Sequence, residues 1–209
     1  MPIDTWIWFI ISSTALLIIP GPTILLVVFY AINQGRKVAV AMALGVALGD
    51  FVAMTASLLG LGILVLASAT LFTVLKWLGA AYLICLGIKL LRSPPAGFQQ
   101  TQTTKNTEKS GRELFLHAFA VTALNPKSIT FFIAFVPQFI NPATGLALQF
   151  SLLISSFVIL ATINALAYAL LADRLRSRIK RPSVMKWMNR IGGSALIAMG
   201  IISTTLKRS

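Results

Sequence analysis

Two ionisable residues lie deep inside apolar stretches of the sequence. Asp50 ends "GVALGD" and is the sole charge in 38–75, and Lys127 is the sole charge between Glu113 and Asp173. An ionisable side chain in a bilayer costs roughly 2.5–3.5 kcal/mol even on a mild insertion scale, so such residues are candidates for function. Asp50 could hold a substrate ammonium or exchange a proton, and Lys127 could hold a carboxylate. The alternative is a structural ion pair between the two.

Prolines interrupt the apolar sequence at two places, within "LLIIPGPTILLVV" and at "LNPKS", where Lys127 lies. Each proline removes an amide donor and clashes with the carbonyl four residues earlier, which makes Leu16, Ile18 and Thr122 candidates for freed carbonyls. A freed carbonyl suits an ammonium, and the helix that starts after a break suits a carboxylate. The alternative is a simple proline kink. The breaks and the charges predict these substrate-binding residues: Pro20, Gly21, Pro22, Asp50, Asn125, Pro126 and Lys127.

The elements that carry these residues are predicted to be membrane helices. Of the 209 residues, 57% are hydrophobic and 11% are charged, whereas an ordinary globular domain is about a quarter charged. A bilayer-spanning helix needs about 20 apolar residues. The apolar runs fit six spans, at about 6–32, 38–63, 70–91, 114–140, 146–171 and 187–206. We therefore predict an all-α integral membrane protein.

The last predicted span repeats the third. "LGAAYLICLGI" (78–88) aligns with "IGGSALIAMGI" (191–201), and the first and fourth spans are each broken by proline. A three-span repeat must be inverted in its second copy, and matching broken helices indicate a transporter site near the midplane. The predicted organisation is a three-helix repeat at 1–92, a flexible cytoplasmic loop at 93–113, and a second, inverted three-helix repeat at 114–209.

The formal charge of +13 has a topological explanation. Fourteen of the 18 basic residues lie in or beside the first, third and fifth connections, and Lys and Arg concentrate on the cytoplasmic side of membrane proteins. This distribution predicts cytoplasmic odd-numbered connections and both termini outside, and it removes the case for a nucleic-acid partner. The N-terminal "MPIDTWIWF" lacks a basic region, so no cleaved signal peptide is expected.

Other residues within the spans are predicted to pack helices together. Repeat symmetry sets Asn164 opposite Asp50, where it could equally form hydrogen bonds between helices. His117 could relay protons, although a lone interfacial histidine is more often a wetted side chain. Four glycines recur at the small-residue spacing of closely packed helices: Gly45, Gly49, Gly79 and Gly87.

Four stretches resemble signature segments of the LysE/RhtB amino-acid exporters, in order over nearly the whole chain. They are "PGPTILLVV", "NQGRKVAVAMALGVALGD", "LGAAYLICLGIKLLRS" and "LNPKSITFFIAFVPQF". The resemblance implies a carrier in the bacterial inner membrane that expels amino acids or their derivatives and is driven by the proton gradient. It is closer to the neutral, threonine/homoserine-type branch. It also marks Gly49 and Asp50, with the two proline motifs, as family positions.

Other functions are weaker on the residues available. A soft-metal exporter would want several thiolates or imidazoles, and the chain has one cysteine, Cys85, and one histidine. An enzyme would need a nucleophile–base pair or a metal cluster, so we predict no enzyme, cofactor or metal site. A non-transporting scaffold would tolerate neutral changes at Asp50 and Lys127. The expected partners are a small-molecule substrate and the lipid bilayer, and a homodimer is left open.

Overall fold

The described part of the chain is almost entirely helical. A computed structural model describes residues 1–67, 69–92, 109–141, 144–179 and 182–205. The prediction of an all-α protein is confirmed for these residues, and most of the predicted 93–113 loop lies outside them. Within them lie α1 (Ile3–Ile18), α2 (Pro22–Gln34), α3 (Ala39–Ala67), α4 (Ala69–Arg92), α5 (Gly111–Ala123), α6 (Pro126–Ala134), α7 (Leu146–Ile179) and α8 (Pro182–Thr205).

Two pairs of helices are bent at the proline motifs. α1 and α2 meet at 53°, and α5 meets the stretch Pro126–Phe139 at 43°. Ile19, after α1, and Asn125, before α6, both have extended backbones. Pro22 and Pro126 then begin the next helices, where the fixed φ of proline and its missing N–H are tolerated. The two breaks lie where the prolines predict them.

Several helices are long and apolar enough to cross a membrane. Arg36–Gly60 and Leu146–Ala172 qualify as single helices, and each bent pair qualifies when its two helices are taken together. The part of the chain that the structure describes therefore offers two candidate spans, or four if each bent pair is one span. The 24-residue helices α4 and α8 pack against each other.

The predicted connections are shorter than expected in two places. α7 continues past 171 to Ile179, and α8 begins at Pro182, so the basic segment 173–186 is largely helical and not a loop. Arg, Lys and Leu are good helix formers, so a membrane helix can continue into water. The connection expected near 64–69 is also mostly helical, because α3 reaches Ala67 and α4 begins at Ala69.

Glycines bring two pairs of helices into close contact. A methyl group at Gly49 would lie 2.9 Å from a carbonyl oxygen of α5, and one at Gly45 would also clash with the α5 backbone. On α4, a methyl group at Gly87 would lie 2.6 Å from the Gly193 carbonyl of α8. These distances leave room for hydrogen but not for carbon. Gly79 also lies in α4, and its packing role stays a prediction.

An aromatic cluster joins α1, α6 and α7. Phe131 and Phe132 of α6 lie 6.0 and 4.8 Å from Phe157 of α7, between ring centroids. Phe9 of α1 lies 5.5 Å from Phe139, which follows α6. The first four of these five rings are fully buried. This cluster holds together α1, which precedes the first break, α6, which follows the second break, and α7.

Candidate functional site

A small cavity lies where the two helix breaks meet, between α1, α2, α3, α6 and α7. Of the predicted substrate-binding residues, Gly21, Asp50, Asn125 and Lys127 line it, whereas the three prolines shape the breaks and are not among its lining residues. Its polar lining consists of Thr23, Asp50, Asn125, Lys127, Ser128 and Asn164. The structure thus brings both membrane charges and both breaks to one place.

The cavity has room for only a few water molecules. The volume open to water-sized groups is about 30 Å³, and one water needs roughly 10–15 Å³ of such volume. An amino acid does not fit this space. The structure therefore shows the site in an arrangement too narrow for an amino acid.

Lys127 reaches from the first turn of α6 to the end of α1. Its Nζ donates to the carbonyl oxygens of Leu16 at 2.7 Å and Ile19 at 2.5 Å. The carboxyl end of a helix carries partial negative charge, which stabilises a cation there. The carbonyl at Leu16, predicted to suit a substrate ammonium, is therefore occupied by an ammonium of the protein itself.

Side chains of α7 bind the carbonyls that lie between those two. Asn164 Nδ2 donates to Leu17 O at 3.0 Å, and the Tyr168 hydroxyl donates to Ile18 O at 2.8 Å. Four successive carbonyls at the end of α1 thus accept from side chains of α6 and α7. Sequence reasoning missed Tyr168, although its spacing of four from Asn164 puts both on one helix face.

The second break is satisfied by its own residues. Asn125 Oδ1 accepts from the Lys127 backbone N–H at 3.1 Å and so caps α6. The Asn125 backbone N–H donates to Thr122 O at 3.0 Å, which takes up the carbonyl predicted to be freed. Asn125 Nδ2 also donates to Thr23 Oγ1 of α2 at 3.1 Å, so the second break is tied to the start of α2.

Asp50 lies on the α3 wall of the cavity and is 3% exposed. Its Oδ1 is buried and has no hydrogen-bond partner among the described residues. This oxygen is therefore not bound in the Asp50–Lys127 ion pair considered from the sequence. The Lys127 ammonium instead donates to carbonyls at the end of α1. Burying a carboxylate oxygen without a partner is costly, which makes this oxygen a candidate for contact with a ligand in the cavity.

The amino end of α2 opens onto the same cavity. Its N-cap is Gly21, which provides no side-chain hydrogen bond, and the first N–H groups of a helix have no partner within it. Such an end attracts anions. A methyl group at Gly21 would lie 3.2 Å from Lys127 Cδ, so glycine leaves space for the lysine stem. The amino end of α2 and the Asp50 carboxyl thus both border the cavity.

His117 lies outside the cavity and is paired with a tyrosine. Its Nδ1 lies 3.0 Å from the hydroxyl of buried Tyr30 of α2, and Lys109 Nζ lies 5.3 Å from the Tyr30 ring. The histidine is half-buried and joins α5 to α2, which is more than the wetted side chain expected. Within the described ranges, no three His, Cys, Asp or Glu side chains are grouped to hold a metal ion.

Comparison with known proteins identifies the family. The LysE type translocator model matches residues 14–205. The chain is 34% identical to the homoserine/homoserine lactone efflux protein of Salmonella typhimurium, over the whole of both chains. It is 31% identical to an uncharacterized membrane protein of Vibrio cholerae, over 99% of this chain and 100% of the relative. It is 30% identical to the uncharacterized membrane protein YrhP of Bacillus subtilis, over 90% of this chain and 93% of the relative.

No solved structure matches the chain. The family match covers nearly all of the sequence, including both helix breaks and the cavity between them. It confirms the resemblance drawn from the four motif stretches, and it makes the protein a membrane transporter and not an enzyme. This chain belongs to the LysE type translocator family.

Proposed function

We propose that the protein exports a small amino acid or close derivative, with homoserine as the first candidate, in exchange for protons across the bacterial inner membrane. The observation that carries this proposal is the buried, unpartnered carboxyl of Asp50 beside a cavity at two helix breaks. A relative that matches over its full length is named homoserine/homoserine lactone efflux protein.

The charges of the cavity suit the two ends of an amino acid. The substrate ammonium binds Asp50, which has a free acceptor. The carboxylate binds at the amino end of α2, near Lys127, whose ammonium has a third N–H beyond the two that bind α1. The Thr23 and Ser128 hydroxyls in the lining could bind a hydroxylated side chain, such as that of homoserine.

Asp50 also explains exchange with protons. A buried carboxyl that holds a substrate ammonium cannot hold a proton at the same time, so the two ligands exclude each other at one group. If either ligand is enough to let the carrier change its orientation, proton entry drives substrate exit. The cavity must widen for either orientation to admit an amino acid, because its present volume holds only water.

The membrane arrangement proposed is six spans in two inverted repeats, at 1–92 and 114–209, joined by a cytoplasmic segment at 93–113 whose last three residues begin α5. It is supported by the helix order, since a bent pair, a long helix and a further helix occur twice in succession. The positions of the basic residues support cytoplasmic odd-numbered connections and both termini outside.

The test is homoserine release from proteoliposomes that contain the purified protein and an imposed proton gradient. We expect release from the parent, and about 100-fold slower release from Asp50→Asn, since losing a buried charge contact costs about 3 kcal/mol. The matched control is Asp4→Asn, a change at an exposed position in the first turn of α1, which should not alter the rate.

Three results would contradict the proposal in different ways. Equal rates for Asp50→Asn and the parent would remove Asp50 from the substrate site. No release of homoserine, homoserine lactone or threonine by a well-folded parent would remove the amino-acid cargo and favour the metal or other small-solute alternative. A release rate that does not change when the gradient is collapsed would remove proton coupling alone.

A further inference from the structure

Hydrogen bonds tie α1 to α6 and α7 along much of its length. Lys127 of α6 binds the end of α1, and Asn164 and Tyr168 of α7 bind the carbonyls beside it. Near the other end of α1, Trp6 Nε1 donates to Ser156 Oγ of α7 at 3.0 Å. The aromatic cluster described above joins the same three helices. α1 is therefore held by the second half of the chain.

A second set of contacts ties α2 to α5 and α3. Thr122 Oγ1 of α5 donates to Thr23 Oγ1 at 3.3 Å, and Tyr30 and His117 are paired about two helical turns further along α2. α3 joins this set through Gly45 and the neighbouring Gly49, where the α5 backbone approaches too closely for a side chain. α2 is therefore also held by the second half, but by the other piece of its broken helix.

Among the described residues, one hydrogen bond joins the two sets, from Asn125 Nδ2 to Thr23 Oγ1 beside the second break. The other contacts between the sets are apolar. Ile24 and Val28 of α2 pack against Tyr168 of α7, and α3 packs along α7. Buried alanines at 161, 165 and 169 recur every four residues and so share one face of α7. Small apolar surfaces without directional bonds can slide over one another more readily than hydrogen-bonded ones.

The geometry points to two moving units, each built from one piece of each broken helix and one long helix. We propose that α1, α6 and α7 form the first unit, that α2, α3 and α5 form the second, and that they move against each other about Pro20–Gly21 and Leu124–Asn125. Asn164 and Tyr168 then hold α1 within the first unit, and the Tyr30–His117 pair holds α2 to α5 within the second. The proposal deepens the proposed function and rests on it for the cargo.

The cavity lies on the boundary between these units. Asp50 and Thr23 belong to the second unit, and Lys127 and Asn164 belong to the first. A substrate that binds Asp50 at one end and Lys127 at the other therefore bridges the units. Its binding energy acts directly on their relative position, as a ligand must differ in affinity between two states to shift them.

Distances between spin labels test the division. In a Cys85→Ser background, which removes an exposed thiol, labels are placed in pairs at exposed positions. The pair Ile3 and Leu171 lies within the first unit, Leu59 and Leu116 lie within the second, and Ile3 and Leu116 lie across the boundary. Each pair is measured in liposomes without ligand, with saturating homoserine, and with Asp50→Asn added.

We expect the distance across the boundary to change by about 5 Å in at least one condition, the size of a one-turn shift. The two distances within units should change by less than about half of that. The division is wrong if a distance within a unit changes as much as the one across, or if the distance across stays constant in all conditions. Ile159 and Val52 are exposed replacements for a label position that prevents folding.

Homoserine flux is measured on the same preparations, so the two proposals fail separately. A distance change with Asp50→Asn but no flux in the parent would reject homoserine as cargo and leave the two units standing. Flux with movement inside a unit would reject the units and leave the exporter standing.

Discussion

The two helix breaks have similar sequences but are stabilised differently. At the first, glycine precedes α2 without a side-chain cap, and the carbonyls of α1 bind side chains between 108 and 150 residues away. At the second, Asn125 caps α6 and its backbone N–H binds Thr122 three residues earlier. The first break is therefore held by distant residues, and the second by its own residues and one bond to Thr23 of α2.

The residue before the proline accounts for this difference. Asparagine can accept from the helix that follows, so the break at Asn125 needs little help from elsewhere. Gly21 has no such group, and its amino end is left free to face the cavity. A break whose backbone groups bind neighbouring residues is a structural joint. A break whose following helix has an uncapped amino end is a place where a ligand can bind.

The largest expected effect is that of Lys127→Ala on the first break. It leaves the carbonyls of Leu16 and Ile19 without their cation, although Lys127 belongs to the second break by sequence. We expect a loss of about 3 kcal/mol in unfolding free energy, since hydrogen bonds to charged groups contribute about 1.5–3 kcal/mol each. Unfolding in mixed micelles measures it, and Arg112→Ala, at an exposed position, is the control. A loss no larger than that of the control would show that the first break does not depend on this lysine.

An intermediate effect is expected for Asn125→Ala at the second break. It removes the cap of α6 and the bond to Thr23, for a loss of about 1–2 kcal/mol. Asn125→Ser keeps a capping oxygen but cannot reach Thr23 in the same way, so it should recover about half of the loss. The same unfolding experiment applies. If serine recovers nothing, the second break is held by its contact with α2 and the contrast between the breaks is weaker than described.

The smallest effect is expected for Tyr168→Phe. It removes one hydrogen bond, to Ile18 O, and keeps the ring, so we expect about 0.6 kcal/mol, the average for bonds between membrane helices. Tyr82→Phe, at an exposed position of α4, is the matched control. A loss near that of Lys127→Ala would mean that the α1 carbonyls act as one network, and that no single partner dominates the first break.

Sequence reasoning located the breaks because proline acts on its immediate neighbours. Pro22 and Pro126 begin helices at the positions predicted, and Asp50 and Lys127 meet at one cavity. The partner of Lys127 was not predictable in the same way. A charge can be recognised from its apolar surroundings, but the carbonyls that receive it are decided by how the fold brings the start of α6 within reach of the end of α1.

The missed features share this origin. In the sequence, Tyr168 is an ordinary residue of an apolar helix. In the structure, its hydroxyl donates to Ile18 O, 150 residues earlier. The extension of α7 to Ile179 was missed because hydropathy marks the apolar part of a helix and not its hydrogen-bonded end. The six-span arrangement and the roles of the site residues stay predictions that the experiments above address.

The distance between the first break and its partners has a consequence for biosynthesis. Lys127 leaves the ribosome more than 100 residues after Ile19, which at about 5–20 residues per second is on the order of ten seconds. Asn164 and Tyr168 follow later still. During that interval, the carbonyls at the end of α1 lack these side-chain partners. The amino-terminal half therefore gains the contacts that hold its break only when the carboxyl-terminal half arrives.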